Sequence, residues 1–575
     1  MSLVPHAAQR NRAELVVHAH SRRVVSVTAI RLDRLGKRYG RLPALRDVSL
    51  DVPVGDVFGF LGLNGAGKTT TIRILLDLVR PTTGRATVFD RDCQTQGLAV
   101  RAQLGYLPGE PGFYGDMAGE ATLDLLGRLS AHRIDPAWRR TLLDRLEFAA
   151  SDLRRPVREY STGMKRKLGI VQAFQADVLR TAGRGAPARA HGLHVVARRA
   201  RSRAGVRSPC AAARGPARAD LDDRRVAQPC RTPRARVVRR RRRSTRRLAA
   251  RLRGHQRGAA PLGHARPRID RFLRVARRGE ATCRPRRADA SPRRRAAQVL
   301  RRAVMMRTTA VLAMQSLRRL RAVIVGIGLI LAAFQFLLTQ VAVFLQRSQA
   351  FGMLSSLVPE FIRSLAGPGM LAFMSFTGVV SLGYFHPIVL AALLGLTISI
   401  ATEPAAEVET RFVDLTLARP VARTQLIART VIVLVVSGAF VLGMMAAGTW
   451  TGLACCTPSN APRPSPAIVR SLALNLAGVA WCWGGIALAI AVSARRRAVA
   501  GGWSGLAALA AYLVDYLGRV WDPARGVSRL SPFHYFEPMS VITGGRLSGT
   551  NVATLLAIGL VGAIASAIIF SRRDL

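Results

Sequence analysis

The stretch GLNGAGKTT, Gly62 to Thr70, decides the fold of the first part of the chain. It matches the pattern G-x-x-x-x-G-K-[ST] in full, in which glycines let backbone N–H groups close around phosphate oxygens. In this pattern Lys68 reaches the β- and γ-phosphates and Thr69 ligates Mg²⁺, while the following helix directs the positive end of its dipole at the phosphates. The residues expected to contact a nucleoside triphosphate are Gly62, Asn64, Gly65, Gly67, Lys68, Thr69 and Thr70.

The segments on either side of this loop indicate an α/β domain. Three short apolar runs predict strands, at Val25–Leu32, Leu50–Val54 and Val57–Leu61, and TTTIRILLDLV after the glycines predicts an apolar helix. A strand before the loop and a helix after it are the context that the motif requires. A glycine-rich turn without a ligand is the alternative, and this context argues against it.

Two further motifs accompany the phosphate loop. KRYG contains Tyr39, and YSTGMKRKL spans Tyr160–Leu168. Over about residues 29–177 the chain thus resembles the ATP-binding cassette (ABC) ATPases. The resemblance implies ATP and Mg²⁺ as cofactors, with Tyr39 stacked on adenine. It also implies that Ser161 and Gly163 contact the γ-phosphate held by the phosphate loop of a second subunit. An ordinary loop tyrosine is the alternative for Tyr39 alone.

The loop LGYLPGEPGFY, Leu104–Tyr114, departs from the family pattern. Where the family has a glutamine that ligates Mg²⁺ and senses the membrane domain, this chain has Gly109, followed by Glu110. Two interpretations of Glu110 stay open: it takes the metal role, or it is a solvated loop acid.

A second departure lies downstream of YSTGMKRKL. The family requires a strand that ends in Asp-Glu, which holds Mg²⁺ and activates water, and a later histidine that contacts the γ-phosphate. Neither is recognisable between Val178 and Val304, where the only glutamate is Glu280. The catalytic residues are therefore unassigned, and the ATPase domain reads as truncated at about residue 177.

The same segment has an unusual composition. The 575-residue chain has 87 Lys and Arg against 33 Asp and Glu, and residues 178–304 alone hold 39 arginines, no lysine and six acids. A nucleic-acid-binding insert would exploit this charge, but Phe272 is the only aromatic residue there, so no base-stacking platform exists. A shifted reading frame is the favoured explanation, and a segment so rich in charge and poor in apolar residues is expected to be disordered.

Two back-translations bear on the frameshift. Val226-Ala227-Gln228, read one base later, permits Ser-His and so the neighbourhood of the missing histidine. Met305-Met306 must be encoded by ATGATG, which contains a stop codon in that frame. An ATPase gene would thus end where a second gene begins. The Asp-Glu pair does not back-translate cleanly, which leaves room for more than one insertion or deletion.

The remainder of the chain, residues 305–575, has the composition of a membrane domain. Apolar runs long enough to cross a bilayer lie at about 322–345, 381–401, 431–454, 468–493, 498–518 and 550–570. Fully buried helices of a soluble protein are the alternative, but six such runs without amphipathic helices between them argue against it. Basic residues flank the spans on one side, which predicts a multi-pass protein of the cell membrane with both ends in the cytoplasm.

Residues Gly383–Thr430 and the terminal FSRRDL resemble the permeases of type-2 ABC exporters. That resemblance implies a surface that couples to the ATPase, near Glu403–Arg423. Glu403, Glu407 and Glu409 could instead form a solvated loop. His386-Pro387 is interpreted as the entry to a helix at the membrane interface rather than a substrate ligand.

The sequence as a whole predicts a multi-domain protein, an α/β phosphate-loop ATPase domain joined to an all-α domain of six membrane helices. Residues 1–28 lack a signal-peptide core and are expected to be a disordered extension or an over-early start. The favoured function is an ATP-driven exporter whose partners are membrane lipid and a second copy of the chain, or an intact ABC ATPase subunit. A defective fusion of two transporter genes and a soluble ATPase of translation or repair are the alternatives, and the transported substrate cannot be deduced.

Overall fold

A computed structural model describes residues 28–63, 65–176, 193–196, 291–351, 375–458, 461, 463–544 and 546–575. Four expectations fall partly or wholly outside these residues. They concern the extension before Thr28, the contact of Asn64 with phosphate, the disorder of most of 178–304, and the histidine sought near Val226.

The first sheet is antiparallel and has the strand order β2-β1-β3-β4. Its strands are β1 (Thr28–Tyr39), β2 (Leu42–Pro53), β3 (Thr83–Val88) and β4 (Arg91–Asp92). β1 and β2 form a hairpin in which Leu32 lies opposite Leu50, and β1 pairs on its other edge with β3. Two of the three predicted strands are present, and they are longer than the apolar runs because the hairpin continues up to its turn.

The third predicted strand, Val57–Leu61, is wrong. These residues have no regular secondary structure, and the side chains of Val57 and Leu61 are 98% and 73% exposed. An apolar run of this kind is typical of a strand that pairs within a sheet whose two faces are both covered by other elements. Within the described part of the chain no strand pairs with it, so the phosphate loop follows an irregular segment.

In the described residues of the ATPase part, six α-helices and a second, two-stranded sheet accompany the first sheet. The helices are α1 (Lys68–Leu75), α2 (Gly97–Arg101), α3 (Gly119–Arg128), α4 (Pro136–Arg145), α5 (Ala150–Arg154) and α6 (Thr162–Phe174). The second sheet pairs β5 (Leu104–Leu107) with β6 (Leu193–Val196) in parallel.

The expectation that 178–304 has no fold is wrong at two places. Leu193–Val196 forms β6, whose backbone pairs in parallel with β5. Residues from Ser291 onward form the start of a long helix, in which Pro292 occupies a position favourable to helix initiation. The rest of that range lies outside the described residues.

Among the residues that the structure describes, six helices are long and apolar enough to cross a membrane, as predicted. They are Met305–Arg347, Phe376–Ala401, Arg423–Cys456, Pro466–Ser493, Arg497–Val520 and Gly549–Arg572, and are called spans one to six in chain order. The corresponding helical elements are α7 (Ser291–Arg347), α8 (Phe376–Ser381) with α9 (Pro387–Ala401), α12 (Arg423–Cys456), α13 (Pro466–Ser493), α14 (Arg497–Val520) and α17 (Gly549–Arg572). An α-helix pairs its own backbone N–H and C=O groups, and this suits it to the lipid interior, where no other hydrogen-bond partner is available.

Shorter helices connect the spans. α10 (Glu403–Glu409) and α11 (Phe412–Leu417) lie between spans two and three, and α15 (Arg525–Ser528) and α16 (Pro538–Gly544) lie between spans five and six. His386 begins α9 by accepting a hydrogen bond from the N–H of Ile388, and this contact supports its interpretation as a helix entry.

One apolar cluster joins the ATPase part to the membrane part. It contains Leu76 and Leu78 after α1, Phe412 and Val421 between spans two and three, and Phe570 near the end of span six, each at most 2% exposed. Burial of such side chains contributes about 1.5–3 kcal/mol each. The two parts therefore share a core, which places residues 402–422, hereafter the coupling segment, against the ATPase.

Candidate functional site

The phosphate loop has the backbone geometry that its glycines predict. Gly65 and Gly67 adopt left-handed conformations, with φ of +88° and +85°. A Cβ atom at Gly67 would also overlap the side chain of Leu45 on β2, so only glycine fits there. The ammonium of Lys68 donates to the carbonyl oxygens of Gly62, at 2.5 Å, and Leu63, at 2.8 Å. The lysine therefore lies inside the curve of the loop.

The N-terminus of α1 completes an anion-binding arrangement. Thr69 and Thr70 lie in the first turn of this helix, which contains no acidic residue to offset the positive end of the dipole. Thr69 is exposed, and its hydroxyl group is of the type that ligates Mg²⁺ in this motif. No cluster of three or more His, Cys, Asp or Glu side chains suited to a metal ion occurs among the residues that the structure describes. The exposure of Thr69 is compatible with its predicted role as a ligand of Mg²⁺.

Tyr39 lies at the end of β1 and is 44% exposed. Its strand runs beside the phosphate loop, because Lys37 pairs with Leu45, the residue that packs against Gly67. The ammonium of Lys37 lies 5.0 Å from the centre of the Tyr39 ring, within the range of a cation–π interaction. An exposed ring held at this edge is suited to stacking on a base.

Ser161 and Gly163 lie at the N-terminus of α6. The Ser161 hydroxyl caps the helix by accepting from the N–H of Met164 at 3.2 Å, and both residues are exposed. Helix N-termini favour anions. The motif is therefore presented at the surface of the ATPase part.

The loop after β5 contacts the membrane domain through residues that the sequence did not single out. Glu110 is exposed. Gly112 packs against the backbone of the coupling segment so closely that a Cβ atom would overlap the carbonyl group of Thr410. Tyr114 donates a hydrogen bond to the carboxylate of Glu407, and its ring lies 4.1 Å from that of Phe412. No periodicity or motif marks Gly112 or Tyr114, and only their position beside the expected glutamine could have suggested them.

Two of the three glutamates in the coupling segment are buried with arginines, so a solvated loop is the wrong interpretation for them. Glu403 and Glu407 are 2% and 1% exposed. Arg429 forms ion pairs with both carboxylates, and Arg319 from span one pairs with Glu403 and lies over the Tyr114 ring. This set of five residues is called the buried charge cluster. Glu409, by contrast, is exposed and accepts from the N–H of Arg497, at the start of span five.

Other residues of the coupling segment contact three helices of the ATPase part. Asp414 pairs with Arg73 of α1 at 2.6 Å. Arg101 of α2 donates to the carbonyl oxygens of Arg419 and Val421, both at 3.1 Å. These contacts connect the coupling segment with the helix that follows the phosphate loop.

Arg419 carries the contact to the third helix, α6. Its guanidinium donates to the side-chain oxygen of Gln172 at 2.8 Å and to the Gln172 carbonyl oxygen at 2.5 Å. Burial lowers the pKa of Arg419 to about 10, so the group stays charged at neutral pH. Gln172 in turn donates to the carbonyl oxygen of Tyr106 on β5. The helix that begins with Ser161 is thus fixed to the membrane domain near its other end.

Comparison with known proteins gives the two parts separate relatives. Residues 45–178 match the family described as ABC transporter, and residues 312–571 match the family described as multidrug efflux system permease Rv1217c, C-terminal domain. The first range contains the phosphate loop and the Ser161 motif, and the second contains the coupling segment.

Individual relatives match the ATPase part. The daunorubicin resistance ATP-binding protein DrrA3 of Streptomyces coeruleorubidus is 40% identical over 151 residues, 26% of this chain and 47% of that protein. The bacitracin transport ATP-binding protein BcrA of Bacillus licheniformis is 33% identical over 153 residues, 26% of this chain and 47% of that protein. A solved structure of an ATP binding subunit of an ABC transporter is 28% identical, covers 26% of this chain and 62% of that one, and has a TM-score of 0.23. The chain spans about half the length of the curated relatives it matches.

Proposed function

We propose that this chain, which combines an ABC transporter ATPase domain with a membrane permease domain, is an ATP-driven exporter whose nucleotide site acts on the membrane helices through the coupling segment. The observation that carries the proposal is the continuous interface at residues 402–422. It contacts α1 directly after the phosphate loop, α2, the loop with Tyr114, and α6. A change at the nucleotide can therefore reach the spans through packed and hydrogen-bonded groups.

The proposed assembly is a homodimer in the cell membrane with both ends in the cytoplasm. ABC ATPases act as dimers, and the exposed Ser161 and Gly163 suit a γ-phosphate presented by another copy. A heterodimer of this chain with an intact ABC ATPase subunit would present a γ-phosphate to Ser161 and Gly163 in the same way. The proposed roles are ATP binding by Tyr39, Lys68 and the other predicted loop residues, and Mg²⁺ ligation by Thr69.

The proposed substrates are large, largely apolar compounds. The support is the permease match, described as multidrug efflux, and the names of two relatives, which refer to daunorubicin resistance and bacitracin transport. The direct test is ATP-dependent accumulation of daunorubicin in inverted membrane vesicles, with Lys68→Ala as the inactive control. Equal accumulation with and without ATP would reject ATP-driven export by the chain as written.

A defective fusion of two transporter genes is the second candidate. The apolar run Val57–Leu61 favours it, because the run has the composition of a covered central strand but its Val57 and Leu61 side chains are exposed to water here. The test is an ATPase completed in the alternative frame together with the permease from Met305, hereafter the frame-corrected pair. If the frame-corrected pair accumulates daunorubicin and the chain as written does not, the chain as written is the defective form.

We predict that the full-length chain in detergent binds Mg-ATP through Lys68. A hydrogen bond to a charged group is worth about 1.5–3 kcal/mol, so Lys68→Ala should weaken ATP binding about 10- to 150-fold in a calorimetric titration. Arg145→Ala, on the exposed face of α4, is the matched control and should leave the affinity unchanged. Equal ATP affinity in the Lys68→Ala variant would contradict the proposed site, and no binding by the unmodified chain would support the defective fusion.

We also predict the side of the membrane on which each loop lies. In a background with Cys455 and Cys456 changed to serine, Arg496→Cys should resist a membrane-impermeant maleimide in intact cells, and Gly526→Cys should react. Both positions are exposed in the structure, so only the membrane can protect one of them. The basic residues around Arg496 favour the cytoplasmic side. Labelling of Arg496→Cys and protection of Gly526→Cys would reverse the topology.

A further inference from the structure

The residues that follow span six lie on the ATPase part rather than in solvent. The carboxylate of Asp574 accepts from the ammonium of Lys37 at 2.5 Å and from the backbone N–H of Arg80 at 3.0 Å. The backbone N–H of Leu575 donates to the carbonyl oxygen of Leu78 at 3.2 Å. Residues Ser571–Leu575, hereafter the post-span segment, are thus held by hydrogen bonds to the loop after α1 and to β1.

Two arginines join this segment to other spans. Arg423, at the start of span three, donates to the carbonyl oxygens of Ser571 and Arg573, and also to those of Asp77, at 2.7 Å, and Leu78, at 3.0 Å. Arg573 donates to the carbonyl oxygen of Val492 near the end of span four. The cytoplasmic ends proposed for spans three, four and six therefore meet at one place on the ATPase part.

Lys37 extends this contact toward the nucleotide site. Its side chain is buried, and its ammonium has Asp574 and the carbonyl oxygen of Arg80 as partners, at 2.5 and 2.7 Å. Lys37 and Tyr39 are two residues apart on β1, and alternate residues of a strand share a face. The same ammonium lies 5.0 Å from the Tyr39 ring. Asp574, which follows span six, therefore contacts Lys37, and Lys37 contacts the exposed Tyr39 ring.

We propose that Asp574 is a positioning residue for Tyr39: through Lys37 it sets the ring for adenine, so that the affinity for the adenine part of ATP depends on docking of the post-span segment. This inference rests on the proposed role of Tyr39 in ATP binding. It adds a second connection between membrane helices and the nucleotide site, separate from the coupling segment. The coupling segment contacts the helices around the phosphates, and the post-span segment contacts the strand that presents the ring.

The expected effect follows from the charges. Without the Asp574 carboxylate, the buried Lys37 ammonium loses its ionic partner and must shift toward other acceptors or water. Its interaction with the Tyr39 ring then changes, and cation–π interactions are strong enough to alter binding about 3- to 10-fold. The phosphate loop does not contact Lys37 through any hydrogen bond in the described part of the chain. Phosphate binding should therefore be unaffected.

The experiment compares ATP with inorganic tripolyphosphate, both with Mg²⁺, as ligands of the full-length protein in detergent. Asp574→Asn should weaken ATP binding about 3- to 10-fold and leave tripolyphosphate binding unchanged, and Asp574→Glu should restore part of the loss. Lys37→Met should have the same effect, and Asp574→Asn should add nothing to it. The matched control is Asp51→Asn, on β2. This change breaks an exposed ion pair with Arg31 of β1, the strand that contains Lys37 and Tyr39.

Each outcome decides between the possibilities. A parallel loss of ATP and tripolyphosphate binding would show a general structural role for Asp574 and overturn the proposal, as would unchanged ATP binding in Asp574→Asn. Tyr39→Ala serves as the reference for the ring itself. If Tyr39→Ala does not weaken ATP binding, the proposed role of Tyr39 fails and this inference fails with it. If Tyr39→Ala weakens binding and Asp574→Asn does not, only the inference fails.

Discussion

The frame-corrected pair is expected to release phosphate from ATP at least about 100-fold faster than the chain as written. General-base assistance contributes about 10²- to 10⁴-fold, and the chain as written has neither a recognisable strand that ends in Asp-Glu nor a recognisable strand that ends in the expected histidine. The groups that the phosphate loop supplies are present, so the chain as written should bind ATP far better than it hydrolyses it. Loss of hydrolysis without loss of ATP binding is thus expected for the chain as written.

The measurement is phosphate release at saturating Mg-ATP by both proteins, purified side by side. Lys68→Ala in each protein gives the background rate, because it removes the contact expected at the β- and γ-phosphates. Comparable, Lys68-dependent turnover in both proteins would show that residues 178–304 supply catalytic groups, and the frameshift interpretation would have to be abandoned.

The second large effect is expected from the buried charge cluster. Arg429→Met removes the partner shared by Glu403 and Glu407, each of which is at most 2% exposed. Leaving a buried charge uncompensated typically costs about 3–5 kcal/mol. The variant should therefore unfold, or separate its ATPase part from its spans, at a much lower temperature than the unmodified chain.

Two further variants make this prediction specific. Arg318→Met, on an exposed neighbouring position of span one, should leave the melting temperature in detergent nearly unchanged. Adding Glu407→Gln to Arg429→Met should recover part of the loss, because Glu403 keeps its pair with Arg319. A melting temperature that Arg429→Met does not lower would contradict the burial of this cluster.

The features that the sequence predicted depend on local or one-dimensional patterns. Six spans follow from the length of apolar helix that a bilayer requires, and the turn of the phosphate loop follows from glycines that other residues cannot replace. The position of the coupling surface near Glu403–Arg423 came from a family resemblance, and the packing of residues 402–422 on the ATPase part agrees with it.

The features that the sequence did not predict depend on contacts between distant residues. Val57–Leu61 has the composition of a strand, but pairing partners decide whether a strand forms. Leu193–Val196 pairs with β5 although it lies in a stretch of arginines and alanines. Tyr114 meets Glu407, and Lys37 meets Asp574, across hundreds of residues. No pattern within a window of sequence contains that information.

The most direct test of the account is amide hydrogen exchange of the full-length chain with and without Mg-ATP. The central claim is that nucleotide at the phosphate loop acts on the membrane helices through the coupling segment. ATP should therefore slow exchange in peptides from residues 403–421 as well as around Lys68, and Lys68→Ala should abolish both effects. Unchanged exchange at 403–421, in a chain that a titration shows to be saturated with ATP, would contradict the claim.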